Sequence, residues 1–231
     1  MSDLTENYLK CLELLPQGVD VFSSQEGEDV LVRRLLKTLY NSGGAFVDIG
    51  AHDPVRFSST FHYYLRGWRG INVEPNPVGI SRFNELRPGD INLCCGVSSK
   101  ADNIEYYKFK EPAFNTTCSK QVDFALTKTD LIETVEIDVL PLREILQENH
   151  QLFGDDTVWF LNIDVEGTEL CVLRSNDWER FRPVLVLVEA LSTAVEKEIA
   201  EYMREQNYFF VARTKNTFFY AERAFKREYV D

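Results

Sequence analysis

A chain of 231 residues, 44% hydrophobic and 13% aromatic, can bury the core of one α/β domain, which excludes a disordered chain. Its 37 acidic and 25 basic residues leave a formal net charge of -12 spread along the sequence, so nucleic acid is a poor partner and solubility is the plain reading of the surplus. No apolar run reaches the roughly 18 residues of a membrane span, no leader is visible, and five cysteines form no CxxC, so a reduced cytoplasmic protein is expected.

Residues 1–22 read as a helical arm with Tyr8, Leu9, Leu12, Leu14 and Leu15 as its apolar positions, and residues 23–231 as one domain. Ser23 and Ser24, with Glu26, Glu28 and Asp29 after them, predict a helix start; Val30, Leu31, Leu35, Leu36 and Leu39 then recur at helical spacing. After Gly43-Gly44, the apolar runs 45–50, 70–75 and 91–97 have strand length and end in turn residues. Segments 56–66 and 77–87 between them are rich enough in helix formers to cross over, which predicts a parallel sheet. Residues 103–109 and 134–140 alternate with a period of two around a polar, Thr-rich stretch, as an antiparallel hairpin inserted beside the sheet would. A helix over 141–149, strands over 158–167 and 184–190 with a helix over 168–180 between them, a helix over 194–206 and a closing hairpin (208–214, 216–222) complete the α/β pattern.

The first strand carries an acid, Asp48, and ends in a glycine turn, Gly50-Ala51-His52. Ligands of open α/β sheets bind at the carboxyl ends of strands, where a glycine lets them approach the backbone. No GxGxxG follows, so a pyrophosphate cradle is weakly supported and a small zwitterion such as S-adenosyl-L-methionine (SAM) fits better. Glu74, at the end of the next strand, is placed to accept both hydroxyls of a ribose. Pro75 and Asn76 after it, and Gly96-Val97 closing the third run, complete the expected cofactor side.

The run Asn162-Ile163-Asp164-Val165-Glu166-Gly167-Thr168 ends a strand in two more acids, with Asp164 expected at the ligand rim. Asp164 and Glu189, which ends the following strand, make a candidate site for a hard divalent cation such as Mg²⁺. For Glu166 and Glu189 the capping of helix N-termini is an equal reading, with Gly167-Thr168 as a cap. His52 is a candidate general base, because imidazole titrates near neutral pH; a packing role stands beside it. Asn115, Thr116 and Thr117 offer an amide and hydroxyls to a sugar acceptor, with Glu166 on the same side, or else form a polar loop.

Four ordered blocks carry a resemblance: 24–29 (SQEGED), 46–54 (FVDIGAHDP), 70–77 (GINVEPNP) and 162–170 (NIDVEGTEL), with Ser175-Asn176-Asp177-Trp178 and Arg182-Pro183 beyond them. Together they resemble the FkbM family of methyltransferases, from about residue 22 to residue 190 and loosely on to the C-terminus. The resemblance implies a class I, Rossmann-like methyltransferase fold: a mostly parallel seven-stranded sheet with helices on both faces. It implies O-methylation from SAM, often of sugars in polyketide, lipopolysaccharide or capsule pathways. It places Gln25 and Glu28 along the cofactor pocket, Asp48 and Gly50 beside the methionine of SAM, Glu74 on the ribose, and Asp164 beside the sulfonium and the acceptor. The expected partner is a small-molecule or glycan acceptor, nucleotide-linked sugars included, and a homo-oligomer stays open. A non-catalytic SAM-binding module and an NAD-dependent oxidoreductase are the rival readings; the missing GxGxxG weighs against the second.

Overall fold

The computed structural model describes Lys10, Leu14 and residues 20–154 and 157–225. Helix α1 (Glu28–Leu36) leads into β1 (Ala45–Ile49); α2 (Phe61–Leu65) crosses to β2 (Arg69–Val73), and α3 (Pro77–Leu86) to β3 (Ile91–Leu93). A short β4 (Gly96–Val97) is followed by β5 (Asp102–Phe109), α4 (Ser119–Leu126), β6 (Leu131–Leu140) and α5 (Leu142–Glu148). The chain then forms β7 (Trp159–Ile163), α6 (Glu169–Arg174), β8 (Leu185–Glu189), α7 (Thr193–Glu205), β9 (Tyr208–Arg213) and β10 (Thr217–Glu222).

The main sheet has the order β3-β2-β1-β7-β8-β10-β9. Its first five strands are parallel, while β10 runs antiparallel between β8 and β9. The chain winds outward from β1 through β2 and β3, then returns to the other side of β1 as β7. That reversal opens a crevice above β1 and β7, where ligands of doubly wound sheets bind.

Strands β1, β7 and β8 are buried at every position because both faces are covered, which is why they read as continuous apolar runs. Val47, Ile49, Leu161, Ile163, Val186 and Val188 pack on one face against Leu142, Ile145 and Leu146 of α5, Val172 and Leu173 of α6, and Ile199 and Met203 of α7. Phe46, Phe160, Leu185 and Leu187 pack on the other against Val32 and Leu36 of α1 and Phe61, Tyr63 and Tyr64 of α2. The alternation of a strand thus supplies two cores, with helices on both faces, as expected from the sequence.

A polar layer crosses the sheet just below the crevice. Asp48 is in register with Asn72 on one side and Asn162 on the other, and Asn72 with Asn92. Asn162 Nδ2 donates to Asp48 Oδ1 (2.9 Å), and Thr60 Oγ1 to Asp48 Oδ2 (2.8 Å). Below it Arg87, fully buried, donates to Thr60 Oγ1 (3.0 Å) and pairs with Asp90 (2.8 Å), while the buried Asn72 Oδ1 has no hydrogen-bond partner.

Several local expectations change. The run 91–97 is two strands: Ile91–Leu93 stays in the main sheet, while Gly96–Val97 leaves it to pair in parallel with Val139–Leu140 of β6. Gly96 permits that approach, since a Cβ there would lie 2.9 Å from Val139 Cγ1. The inserted hairpin β5–β6 forms as expected and becomes a three-stranded sheet with β4. Its Thr-rich connection contains α4 rather than loop alone.

The helix expected over 168–180 stops at Arg174, and that over 56–66 covers only Phe61–Leu65. The helix expected from the Ser-led start begins at Glu28 without a side-chain cap. Instead Asp29 reaches back, accepting the N–H groups of Ser23 (2.8 Å) and Ser24 (3.1 Å). The arm over 1–22 falls mostly outside the described residues. Asp20 meets Arg33 (2.9 Å), and Phe22 stacks on His62 at 4.4 Å. No described helix is long and apolar enough to cross a membrane.

Candidate active site

The crevice above β1, β2, β7 and β8 is a cavity of about 1170 Å³ of non-atom space, part of it open to solvent. Gln25, Glu28, Asp48, Gly50, Ala51, His52, Glu74, Pro75, Gly96, Val97, Asn115, Thr116, Thr117, Asp164, Glu166 and Glu189 all line it, so the structure gathers these sequence-predicted positions into one place. Asn76 is not among them. It caps α3, its Oδ1 accepting the Val78 N–H (3.2 Å).

The floor is the turn after β1. The N–H groups of Gly50 and Ala51 both donate to Val73 O (2.9 and 3.1 Å), and Asp164 N–H donates to Ile49 O (3.0 Å), which holds the ends of β1, β2 and β7 together. The glycine expected to admit a ligand lines the cavity and meets a second need. Gly50 has φ +79°, and a Cβ there would run into the backbone carbonyl of Asp164. Its partner across the turn, His52, also sits at positive φ (+55°) and donates its N–H to Glu74 Oε2 (3.0 Å).

Glu74 is buried, with Oε1 accepting from the Asn76 N–H (2.8 Å) and the Tyr106 hydroxyl (3.3 Å). Burial pushes its carboxyl up to about 7 against those hydrogen bonds. The imidazole of His52 stacks loosely on Phe57 (6.4 Å), and its Nε2 is buried without a hydrogen-bond partner. Burial lowers its pKa, Arg56 and Arg82 push the same way, and Asp53 and Glu111 oppose them.

Three carboxylates line the same cavity at the ends of β7 and β8. Asp164 follows β7 directly. Glu166 and Gly167 both have positive φ (+54° and +111°), a turn that carries Glu166 back over the strand ends. Glu189 ends β8. One oxygen from each lies within 4.8 Å of the others. Desolvation raises all three, Glu166 to about 8; Glu169 repels each of them, and a hydrogen bond between Asp164 and Glu189 lowers the first and raises the second. Helix α6 begins at Glu169, whose Oε1 accepts the Gly167 N–H (2.8 Å), and Thr168, expected with Gly167 as a cap, makes no side-chain cap.

The second sheet roofs the cavity. Asn115 Oδ1 accepts the Phe109 N–H (2.7 Å), and Thr116 Oγ1 donates to Glu166 O (2.8 Å), so both side chains shape the loop that faces the cavity. Glu28 Oε1 accepts from Thr214 Oγ1 (2.7 Å), and Glu26 Oε2 from the N–H groups of Lys215 and Asn216 (2.8 and 3.1 Å), which ties the 24–29 block to the β9–β10 turn. Tyr106, Asn162 and Thr217 also line the cavity and were not singled out from sequence. Tyr106 lies on the inward-facing alternation of β5, the one signal that marks it.

The raised carboxylates set a sign for pH. Unfolded, they titrate near 3.8 (Asp) and 4.5 (Glu). From there to pH 7–8 the folded chain holds more protons than the unfolded one, so stability falls as pH rises through that window. The Tm of the ligand-free protein is expected to be lower at pH 8 than at pH 5.5, with a shallower fall in Glu166→Gln. A Tm that climbs across this range would show the carboxylates ionised without penalty.

A family model described as the methyltransferase FkbM domain matches residues 48–210. No curated protein matches the chain. Among solved structures, the chain is similar to a putative RNA methyltransferase from Pyrococcus horikoshii (11% identity, 94% of this chain and 98% of that one, TM-score 0.45). It is similar also to a SAM-dependent methyltransferase from Agrobacterium tumefaciens (9%, 89% and 64%, 0.43) and to an O-methyltransferase from Bacillus cereus in complex with SAH (11%, 95% and 90%, 0.40).

Proposed function

The chain belongs to the FkbM methyltransferase family, and from that premise we propose that it is a cytoplasmic O-methyltransferase acting on a sugar hydroxyl. The observation that carries the reading is that one cavity is lined both by the buried Glu74 carboxyl at the end of β2 and by His52, whose Nε2 has no hydrogen-bond partner. SAM, when bound, supplies an electrophilic methyl group on a cationic sulfonium. The residues present suit it: no Lys or Arg lines the cavity, while seven Asp or Glu residues do. Glu74 accepts the ribose hydroxyls, with the Gly50-Ala51 turn, Pro75, Gly96 and Val97 shaping the pocket and Gln25 and Glu28 closing one side. His52 Nε2 takes the proton of the acceptor hydroxyl. Asp164 orients that hydroxyl, and the loop of Asn115, Thr116 and Thr117 faces the sugar.

The same lining bears on the acceptor. Arg56 and Arg82, the guanidiniums that act on His52, are already paired with Glu111 and Asp53. A diphosphate would meet carboxylates inside the cavity, so a neutral glycan or small natural product is favoured over a nucleotide-linked sugar. The test is transfer of a labelled methyl group from SAM to a panel of neutral oligosaccharides and nucleotide-linked sugars. Label on a hydroxyl of a neutral acceptor, with matching release of SAH, is the expected result. SAM binding without transfer to any hydroxyl would favour a non-catalytic module instead.

A further inference from the structure

Asp164, Glu166 and Glu189 come from three separate pieces of chain and still meet. Strands β7 and β8 run in register through Ile163 and Val188, so the next residues, Asp164 and Glu189, stand side by side, and the left-handed turn brings Glu166 to them. Their oxygens, all within 4.8 Å of one another, have the spacing of ligands on a single ion, because oxygens bound at about 2.0–2.6 Å lie up to about 5 Å apart. Glu189 is only 9% exposed, lines the cavity, and its Oε2 has no hydrogen-bond partner. A buried carboxylate oxygen left without donor or cation is costly, and no Lys or Arg lines the cavity to relieve it. The helix starts nearby are served by other groups: Glu169 Oε1 accepts the Gly167 N–H, and Ser192 Oγ accepts the Val195 N–H (3.3 Å). The start of α7 is thus capped by Ser192, and the start of α6 has no side-chain cap from Thr168.

We infer that Asp164, Glu166 and Glu189 hold one hard divalent cation of the Mg²⁺ or Mn²⁺ type. Three carboxylate ligands leave coordination positions open to water, and Mg²⁺ in proteins keeps several waters. Resting on the methyl-transfer reading, a cation held there would supply a Lewis acid to the acceptor oxygen, with His52 as the base that takes its proton. The positive φ of Glu166 belongs to the turn that brings its carboxylate to the other two.

The test is Mn²⁺ titration of chelator-treated full-length protein, followed by electron paramagnetic resonance, with SAH binding measured on the same preparation. One site is expected, displaced by Mg²⁺ and weakened at least tenfold in both Glu189→Gln and Glu166→Gln. Mn²⁺ is also expected to raise the Tm of the wild-type chain, a readout that does not depend on any variant folding. If wild-type protein binds SAH but binds no Mn²⁺, or binds it no better than the two variants, the inference is overturned and the methyltransferase reading survives. Saturable Mn²⁺ binding lost in the variants, on protein that binds neither SAM nor SAH, would uphold the cation site and remove the proposed function.

Discussion

Glu74→Gln is expected to weaken SAM and SAH binding by about 100-fold. The glutamine fills the same volume, so packing against Gly79 and Tyr106 is kept, but the charge and half of the accepting capacity go. The two carboxylate oxygens already receive the N–H groups of His52 and Asn76 from opposite sides. An amide can satisfy only one of them and turns its own NH₂ toward the other. What remains for a ribose is one neutral acceptor in place of an ionised pair. Charge-assisted hydrogen bonds contribute about 1.5–3 kcal/mol each and neutral ones about 0.5–1.5, and a factor of ten in affinity corresponds to about 1.4 kcal/mol, so exchanging two of the first for one of the second, roughly 3 kcal/mol, gives about 100-fold. Isothermal titration at pH 8, above the raised Glu74 pKa of about 7, measures it with the carboxylate ionised. Wild-type affinity should fall between pH 8 and pH 6 as Glu74 takes up a proton, and the variant should show a shallower fall, the part that comes from Asp164 and Glu166 in the same cavity. A folded variant within threefold of wild type would remove Glu74 from cofactor binding.

Features set by local pattern were legible in the sequence. The doubly covered strands β1, β7 and β8 announce themselves as apolar runs, and the half-exposed β5 and β6 as alternation, so the sheet and its inserted hairpin follow from periodicity. Asp48, Glu74, Asp164 and Glu189 could be placed on one rim because each lies at or near the carboxyl end of a strand, and a parallel sheet brings such ends together. What could not be read depends on contacts between distant segments. The run 91–97 looks continuous, and only its pairing with β6, 40 residues later, divides it at Cys94-Cys95. Asp29 looks like an ordinary first-turn acid, yet it closes the preceding loop. Gly50 carries the expected motif for a reason the motif does not state, the approach of Asp164. The partnership of Glu166 with Glu189 needs a non-glycine residue at positive φ, which no spacing rule anticipates.

Loss of the His52 imidazole is expected to lower kcat by about 10²–10⁴-fold, the range of a positioned general base. The informative substitution is His52→Asn, because the residue sits at φ +55°, where asparagine is among the few side chains tolerated, and because its backbone N–H to Glu74 is kept. Affinity for SAH should therefore change little while turnover collapses, which a merely structural histidine would not do. The pH profile gives an independent readout. Burial, reinforced by Arg56 and Arg82, holds the imidazole below its ordinary 6.5, so it is neutral and able to accept a proton at pH 7. The acid limb of wild-type kcat should accordingly lie below pH 6.5 and disappear in the variant. Turnover within threefold of wild type in His52→Asn would move the base to Asp164, and Asp164→Asn would then be the decisive variant. If both retained turnover, the hydroxyl proton would leave to water, and the cavity would act on the reaction through positioning of donor and acceptor alone.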